Sequence, residues 1–187
     1  MNLSELDPKQ ILIWMDLEMT GLNPDTEKII EIATIATDAD LNIISRGPEI
    51  AIHWPKAVFD QMDTWCVEHH GASGLTQRCL DSSITLEQAE QTTLDWVKSL
   101  VPKGVTPLCG NSIHQDRRFL FRYMSELEDY FHYRNIDVST IKELAKRWYP
   151  KLDSFAKEGK HTALEDIIES VEELKYYRQQ VFNKERN

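Results

Sequence analysis

The chain has 187 residues, of which 41% are hydrophobic, enough for one good core and with nothing that marks a second domain, so a single domain over residues 1–187 is expected. Its formal net charge of −10 excludes the broad basic surface with which proteins that track long nucleic acids neutralise many phosphates. The longest apolar run, "ILIWM", is too short to span a membrane, "MNLSELDPKQ" lacks the regions of a signal peptide, and Cys66, Cys79 and Cys109 form no CxxC pair, so a cytoplasmic protein with reduced thiols and no membrane contact is expected.

In chain order, "ILIWMDLE" (11–18) is a near-continuous apolar run of the kind found in strands covered on both faces. The turn "TGLNPD" follows, then β-rich runs over 28–38 and 41–52, which predict a three-strand meander. Leu86, Ala89, Thr93, Val97 and Leu100 recur at helical steps, and Thr85 with Gln88 offers a capping box ahead of them. "TPLCG" (106–110) reads as a short buried strand, "SIHQDRRFLFRYMSEL" as a helix, "YRNIDVS" as a strand and "TIKELAKRWY" (140–149) as a helix stopped by Pro150. The polar, Gly-containing stretch 150–161 is long enough to be mobile, and a last helix begins near Thr162 with Leu164, Ile167, Ile168, Val171 and Leu174 as its apolar stripe. This order of elements predicts an α/β fold, a mixed five-stranded sheet sandwiched by helices in three α/β/α layers.

The acids stand out against this pattern. Residues two apart in a strand share a face, so Asp16 and Glu18 project side by side near the C-terminal end of a core strand, where α/β sheets usually place ligands. An unpaired buried carboxylate is costly, so two of them require a compensating cation. Asp116 falls on the inward face of its helix, in line with Ile113, Leu120, Met124 and Leu127. Asp166 lies in the first turn of the last helix. Helix-dipole stabilisation of first-turn acids explains either one alone, and a frayed strand end explains a lone D-x-E. Four acids on separate elements, with His161 just ahead of the last helix, instead have the composition of a hard-metal site for Mg2+ or Mn2+, since zinc recruits more His or Cys. Two such ions about 4 Å apart activate a water and stabilise a leaving oxygen in attack on a phosphodiester. His161, five residues before Asp166, could serve as general base there.

Asp16 and Glu18 in "DLEMTGL", Asp116 in "GNSIHQDRRFL", and His161 with Asp166 in "HTALED" resemble the three motifs of the His-containing branch of the DEDD exonuclease superfamily. With "HHGASGLT" and "IDVSTIKELAKRWYP", the likeness narrows to the oligoribonuclease family and runs from about residue 10 to residue 182. It implies a ribonuclease H-like fold, a homodimer, two divalent ions per site, and 3′-to-5′ hydrolysis of RNAs of two to five nucleotides, linear dinucleotides included, to mononucleotides. Carried over by motif position, Asp16, Glu18, Asp116 and Asp166 would be metal ligands and His161 the base. Leu22 would wedge against the bases, with Trp65 and His70 lining the 3′-nucleotide pocket beside Ser112. A partner subunit would place Tyr133 against a base and Arg134, Ser139 and Thr140 around the 5′-phosphate. The competing readings are an exonuclease of longer RNA or DNA 3′ ends, which predicts a basic surface or an added domain, and a non-catalytic nucleotide-binding module, which predicts a missing ligand or base. The sequence shows neither signature.

Overall fold

A computed structural model describes residues 6–156 and 162–182. Five strands, β1 (Leu12–Met19), β2 (Ile29–Thr37), β3 (Ile43–Ala51), β4 (Leu108–Gly110) and β5 (Asn135–Asp137), form one mixed sheet in the order β3-β2-β1-β4-β5. The first three are the expected antiparallel meander, and β4 and β5 join in parallel on the other side of β1.

The alternation of β1 sorts the layers. Ile13, Met15 and Leu17 face one way, into a core with Ala89, Leu94 and Val97 of α4 (Leu86–Leu100) and Ile113, Phe119 and Leu120 of α5 (Ile113–Tyr123). Trp14 faces the other way with Ala33 and Ile35 of β2, and meets Val138 and Ala145 of α7 (Val138–Trp148) and Ala163, Ile167 and Val171 of α8 (Ala163–Tyr177). Asp16 and Glu18 therefore share the face of Trp14, the side that α8 covers. The expected three α/β/α layers are present.

The expected capping box is also there: Thr85 Oγ1 accepts from the Gln88 N–H at 3.2 Å, and Gln88 Oε1 accepts from the Thr85 N–H at 2.9 Å. Three points differ from the sequence expectation. The helix after β4 breaks at Met124 (φ −137°, ψ 58°), leaving a one-turn α6 (Ser125–Glu128) behind it. The strand expected over 133–139 is confined to β5, because α7 starts at Val138, capped by the Asp137 carboxylate. Residues 56–81, with no period long enough to read, form three short helices: α1 (Lys56–Phe59), α2 (Thr64–Ala72) and α3 (Leu75–Asp81). Asp63 caps α2, and Gly74 at φ 73° turns the chain from α2 into α3.

β4 is short and stays with β1 only over Ile13–Leu108 and Trp14–Cys109. Beyond that pair the two strands part, which opens a crevice at the carboxyl end of β1. Gly110 marks the parting: a Cβ there would meet the Met15 carbonyl oxygen and Ile113 Cδ1, both at 2.9 Å. We expect Gly110→Ala to cost about 1–3 kcal/mol in urea unfolding, since the obstacle is backbone and cannot swing aside. Wild-type stability would show that β4 can shift without cost.

Candidate active site

Four expected acids converge at this crevice. Asp16 and Glu18 end the buried part of β1. Thr162 caps α8, its hydroxyl accepting from the Glu165 N–H at 3.4 Å, which places Asp166 in the first turn over the same face. One carboxylate oxygen each from Asp16, Glu18 and Asp166 lie within 4.8 Å of one another. Asp116 arrives from the first turn of α5 and is 6% exposed. Its Oδ1 accepts from the Leu17 N–H at 2.9 Å, a backbone donor on the stretch of β1 that β4 leaves unpaired. It stands beside the cluster of three.

In the absence of metal, burial and mutual repulsion favour the protonated forms of Asp16, Glu18 and Asp116. Burial raises Asp16 well above the ordinary carboxylate range, reinforced by the charges of Asp116, Glu18, Asp166 and Glu31. Burial and the neighbouring Asp166, Glu31 and Asp116 push Glu18 up to about 8, against a lowering pull from Arg78. Burial pushes Asp116 up to about 7, against the opposing hydrogen bond from Leu17. A part-buried, all-oxygen donor set whose members repel one another fits a hard divalent cation.

A fifth acid escaped the sequence reading. Glu31, in β2, is the cross-strand partner of Glu18 and is fully buried. Its Oε1 is 2.6 Å from Arg78 Nη1 on α3, and its Oε2 makes no hydrogen bond among the described residues. The signal was a charge inside "KIIEIATIATD", nine strand residues that are otherwise apolar or small.

A cavity of about 790 Å³ opens over the acids, lined by Asp16, Glu18 and Asp166 together with Leu22, Trp65 and His70. Leu22 and Trp65 are 73% and 65% exposed, far from core positions, and Trp65 stacks on His69 with ring centroids 4.6 Å apart. His70 is buried, with Nε2 2.9 Å from the Met19 carbonyl oxygen. That oxygen can only accept, so Nε2 carries the proton. Burial lowers the His70 pKa, so the ring is neutral and its Nδ1, 3.9 Å from Glu18 Oε2, presents a bare lone pair.

Ser112, in the left-handed region at φ 51°, is exposed at the start of α5, with its hydroxyl 3.0 Å from that of Ser139 in the same chain. Tyr133 is 73% exposed, with Arg134 over its ring at 5.2 Å, and Thr140 is exposed; none of the three lines this cavity. His161 lies outside the described residues. Asn111 and Ser170, which the sequence reading passed over, also line the cavity. Asn111 was findable as the polar residue between a buried strand and the helix that bears Asp116. Ser170 carried no signal beyond lying one turn after Asp166.

A family model described as an exonuclease matches residues 13–174. The chain is 57% identical over 174 residues to an oligoribonuclease of Vibrio parahaemolyticus, covering 92% of this chain and 96% of that one. It is 59% identical over 172 residues to an oligoribonuclease of Hydrogenovibrio crunogenus, covering 91% and 94%. The chain belongs to the oligoribonuclease family. Membership makes it a hydrolytic exonuclease, and the fold agrees. Exonuclease I from Methylocaldum szegediense superposes with a TM-score of 0.70 at 17% identity, covering 92% of this chain and 41% of that one. Pop2p of S. pombe, solved with Mg2+ and Mn2+, gives a TM-score of 0.66 at 14% identity, covering 94% and 86%. The ribonuclease H-like architecture expected from the oligoribonuclease resemblance is therefore present.

The acid pKa values set the pH dependence of the metal-free protein. Glu18 keeps its proton to about 8 and Asp116 to about 7, whereas in the unfolded chain carboxylates lose theirs near roughly 4. Unfolding between these limits releases protons, so the stabilising contribution is complete at low pH and lost as pH rises through 7 to 8. With a chelator present, Tm should fall by roughly 5–10 °C from pH 6 to pH 9, and Glu18→Gln should flatten the slope. Saturating magnesium should restore Tm at the alkaline end. A Tm that climbs with pH would contradict the raised values.

Proposed function

We propose that the converged acids are the catalytic centre of a two-metal-ion phosphodiesterase with a histidine base. The chain is a 3′-to-5′ exoribonuclease of short oligoribonucleotides, releasing nucleoside monophosphates. The observation that carries the mechanism is the meeting of Asp16, Glu18 and Asp166 within 4.8 Å beneath the exposed Leu22 and Trp65. Asp16, Glu18, Asp116 and Asp166 would hold two ions, Mg2+ or Mn2+. When bound, the ions supply water activation and stabilisation of the leaving oxygen. His161 takes the proton of the attacking water, and the bond from phosphorus to the 3′ oxygen breaks. Leu22 wedges against the bases, Trp65 and His70 line the pocket of the 3′ nucleotide beside Ser112, and His70 Nδ1 is free to accept a hydrogen bond from a ribose hydroxyl there.

The remaining residues argue for a second copy. Tyr133 and Arg134 are exposed and stand off the cavity of their own chain, as required of groups offered to a partner. In a homodimer they, with Ser139 and Thr140, would close the far end of the partner's site around a 5′-phosphate. This suits the net charge of −10, because a pocket closed at both ends needs one phosphate clamp rather than a basic track. The three cysteines are all free and buried, in keeping with a reducing cytoplasm.

Incubation with 5′-labelled RNAs of two to twenty nucleotides, with and without magnesium, tests the reading. Turnover should be fastest on the shortest chains and absent without metal. Asp116→Asn should reduce hydrolysis by orders of magnitude while leaving the fold intact, and near wild-type turnover would remove it from the site. His161→Ala should lower kcat by roughly 10² to 10⁴ with little change in metal affinity; an equal loss of metal binding would make it a ligand instead. Arg134→Ala should weaken a 5′-phosphorylated dinucleotide about ten- to a hundredfold and a decanucleotide far less. Equal losses on both lengths would make Arg134 a general phosphate contact.

A further inference from the structure

We infer that Asn111 is a positioning residue that ties Ser139, offered above to a 5′-phosphate in the partner's site, to the backbone that carries Asp166. The inference rests on the site proposed above and adds to it the link between these two residues.

Both amide protons and the carbonyl oxygen of the Asn111 side chain are engaged in a directional set of hydrogen bonds. Its Nδ2 donates to Ser170 Oγ at 2.8 Å and to Glu173 Oε2 at 3.1 Å, and its Oδ1 accepts from Ser139 Oγ at 3.0 Å. Glu173 is fully buried and paired with Lys142 at 3.0 Å. A carboxylate so paired only accepts, which fixes the amide with its nitrogen toward α8. Ser170 accepts from Asn111 and spends its own proton on the Asp166 carbonyl oxygen at 2.8 Å. Asn111 thus grips the first turns of α8 behind Asp166.

The other side runs to Ser139 and Ser112. Ser139 gives its only hydroxyl proton to Asn111, so in the 3.0 Å contact between the Ser139 and Ser112 hydroxyls Ser112 is the donor. Ser139 Oγ also accepts the Ser112 N–H at 3.0 Å. The order of donation is then Ser112 to Ser139 to Asn111, and from Asn111 to Ser170 to Asp166. Asn111 is thus bonded on one side to Ser139 and on the other to Ser170, so a shift of Ser139 as it meets a phosphate is passed through this amide to the turn that carries Asp166. The placements of Ser139 and Asp166 are thereby coupled through a single side chain.

The test compares Asn111→Ala, Ser170→Ala and the double variant. Unfolding with a chelator present establishes that each is folded, calorimetry gives Mn2+ affinity, and kcat and KM are measured on dinucleotides with and without a 5′-phosphate. Asn111→Ala should weaken Mn2+ binding several-fold, lower kcat about ten- to a hundredfold, and shrink the preference for the 5′-phosphorylated substrate. Ser170→Ala should weaken Mn2+ binding while keeping that preference. The double variant should bind Mn2+ no worse than Asn111→Ala, because both cut one chain of bonds. Wild-type Mn2+ affinity in a folded Asn111→Ala, or losses that multiply in the double variant, would overturn the inference. If Asn111→Ala does not fold, unchanged Mn2+ affinity in Ser170→Ala overturns it by itself. A wild-type protein that cleaves no dinucleotide would refute the proposed function instead, and the Mn2+ comparison would still judge Asn111.

Discussion

The site depends on β4 leaving β1 after two residue pairs. Had β4 continued, its backbone would have taken the Leu17 N–H, and no room would remain for a side chain between the strands. Because it stops at Gly110, Asp116 supplies the missing acceptor at 2.9 Å, and a carboxylate is drawn into the sheet from the face opposite α8. One unpaired backbone donor thus recruits an acid that packing alone would reject. The remaining acids need only the alternation of β1 and the cap of α8 to join it.

The electrostatic consequence is a fold that stores repulsion where it will be used. Asp16, Glu18 and Asp116 are each raised by burial first and by charge second, except that Asp116 is partly relieved by Leu17. Their neutral forms are compatible with the apolar layers on either side, and their charged forms are compatible with a bound cation. The alternative of spreading these acids over the surface would cost nothing and bind nothing.

Much of this was legible in the sequence, for reasons that differ between elements. The long meander strands and α4 were readable because burial imposes a period, and Thr85 with Gln88 announced a cap that the structure contains. The acids were readable because a charge at an apolar position is an anomaly, as at Asp16 and Asp116. Residues 56–81 were not, since four- to nine-residue helices packed on one side offer too few turns for a period to emerge. Yet they carry Trp65 and His70, whose proposed roles came from the family resemblance and not from pattern. Glu31 hid because its cation, Arg78, is 47 residues away in sequence. Asn111 hid because a polar residue after a strand is what any turn contains.

The Glu31–Arg78 pair has a mechanical meaning as well. Arg78 sits on α3, which is fastened to β2 by Leu75, by Cys79 packed on Ile30, and by the Cys79 thiol donating to the Ile30 carbonyl oxygen at 3.2 Å. α3 follows α2, the bearer of Trp65 and His70, after a two-residue turn, and His70 is itself bonded to Met19 of β1. The aromatic wall and the acidic floor are therefore fastened to the same two strands: separating them would strip a buried carboxylate of its cation and open an apolar seam. The spacing between the wall and the floor is thus built into the sheet, in place before anything enters the crevice.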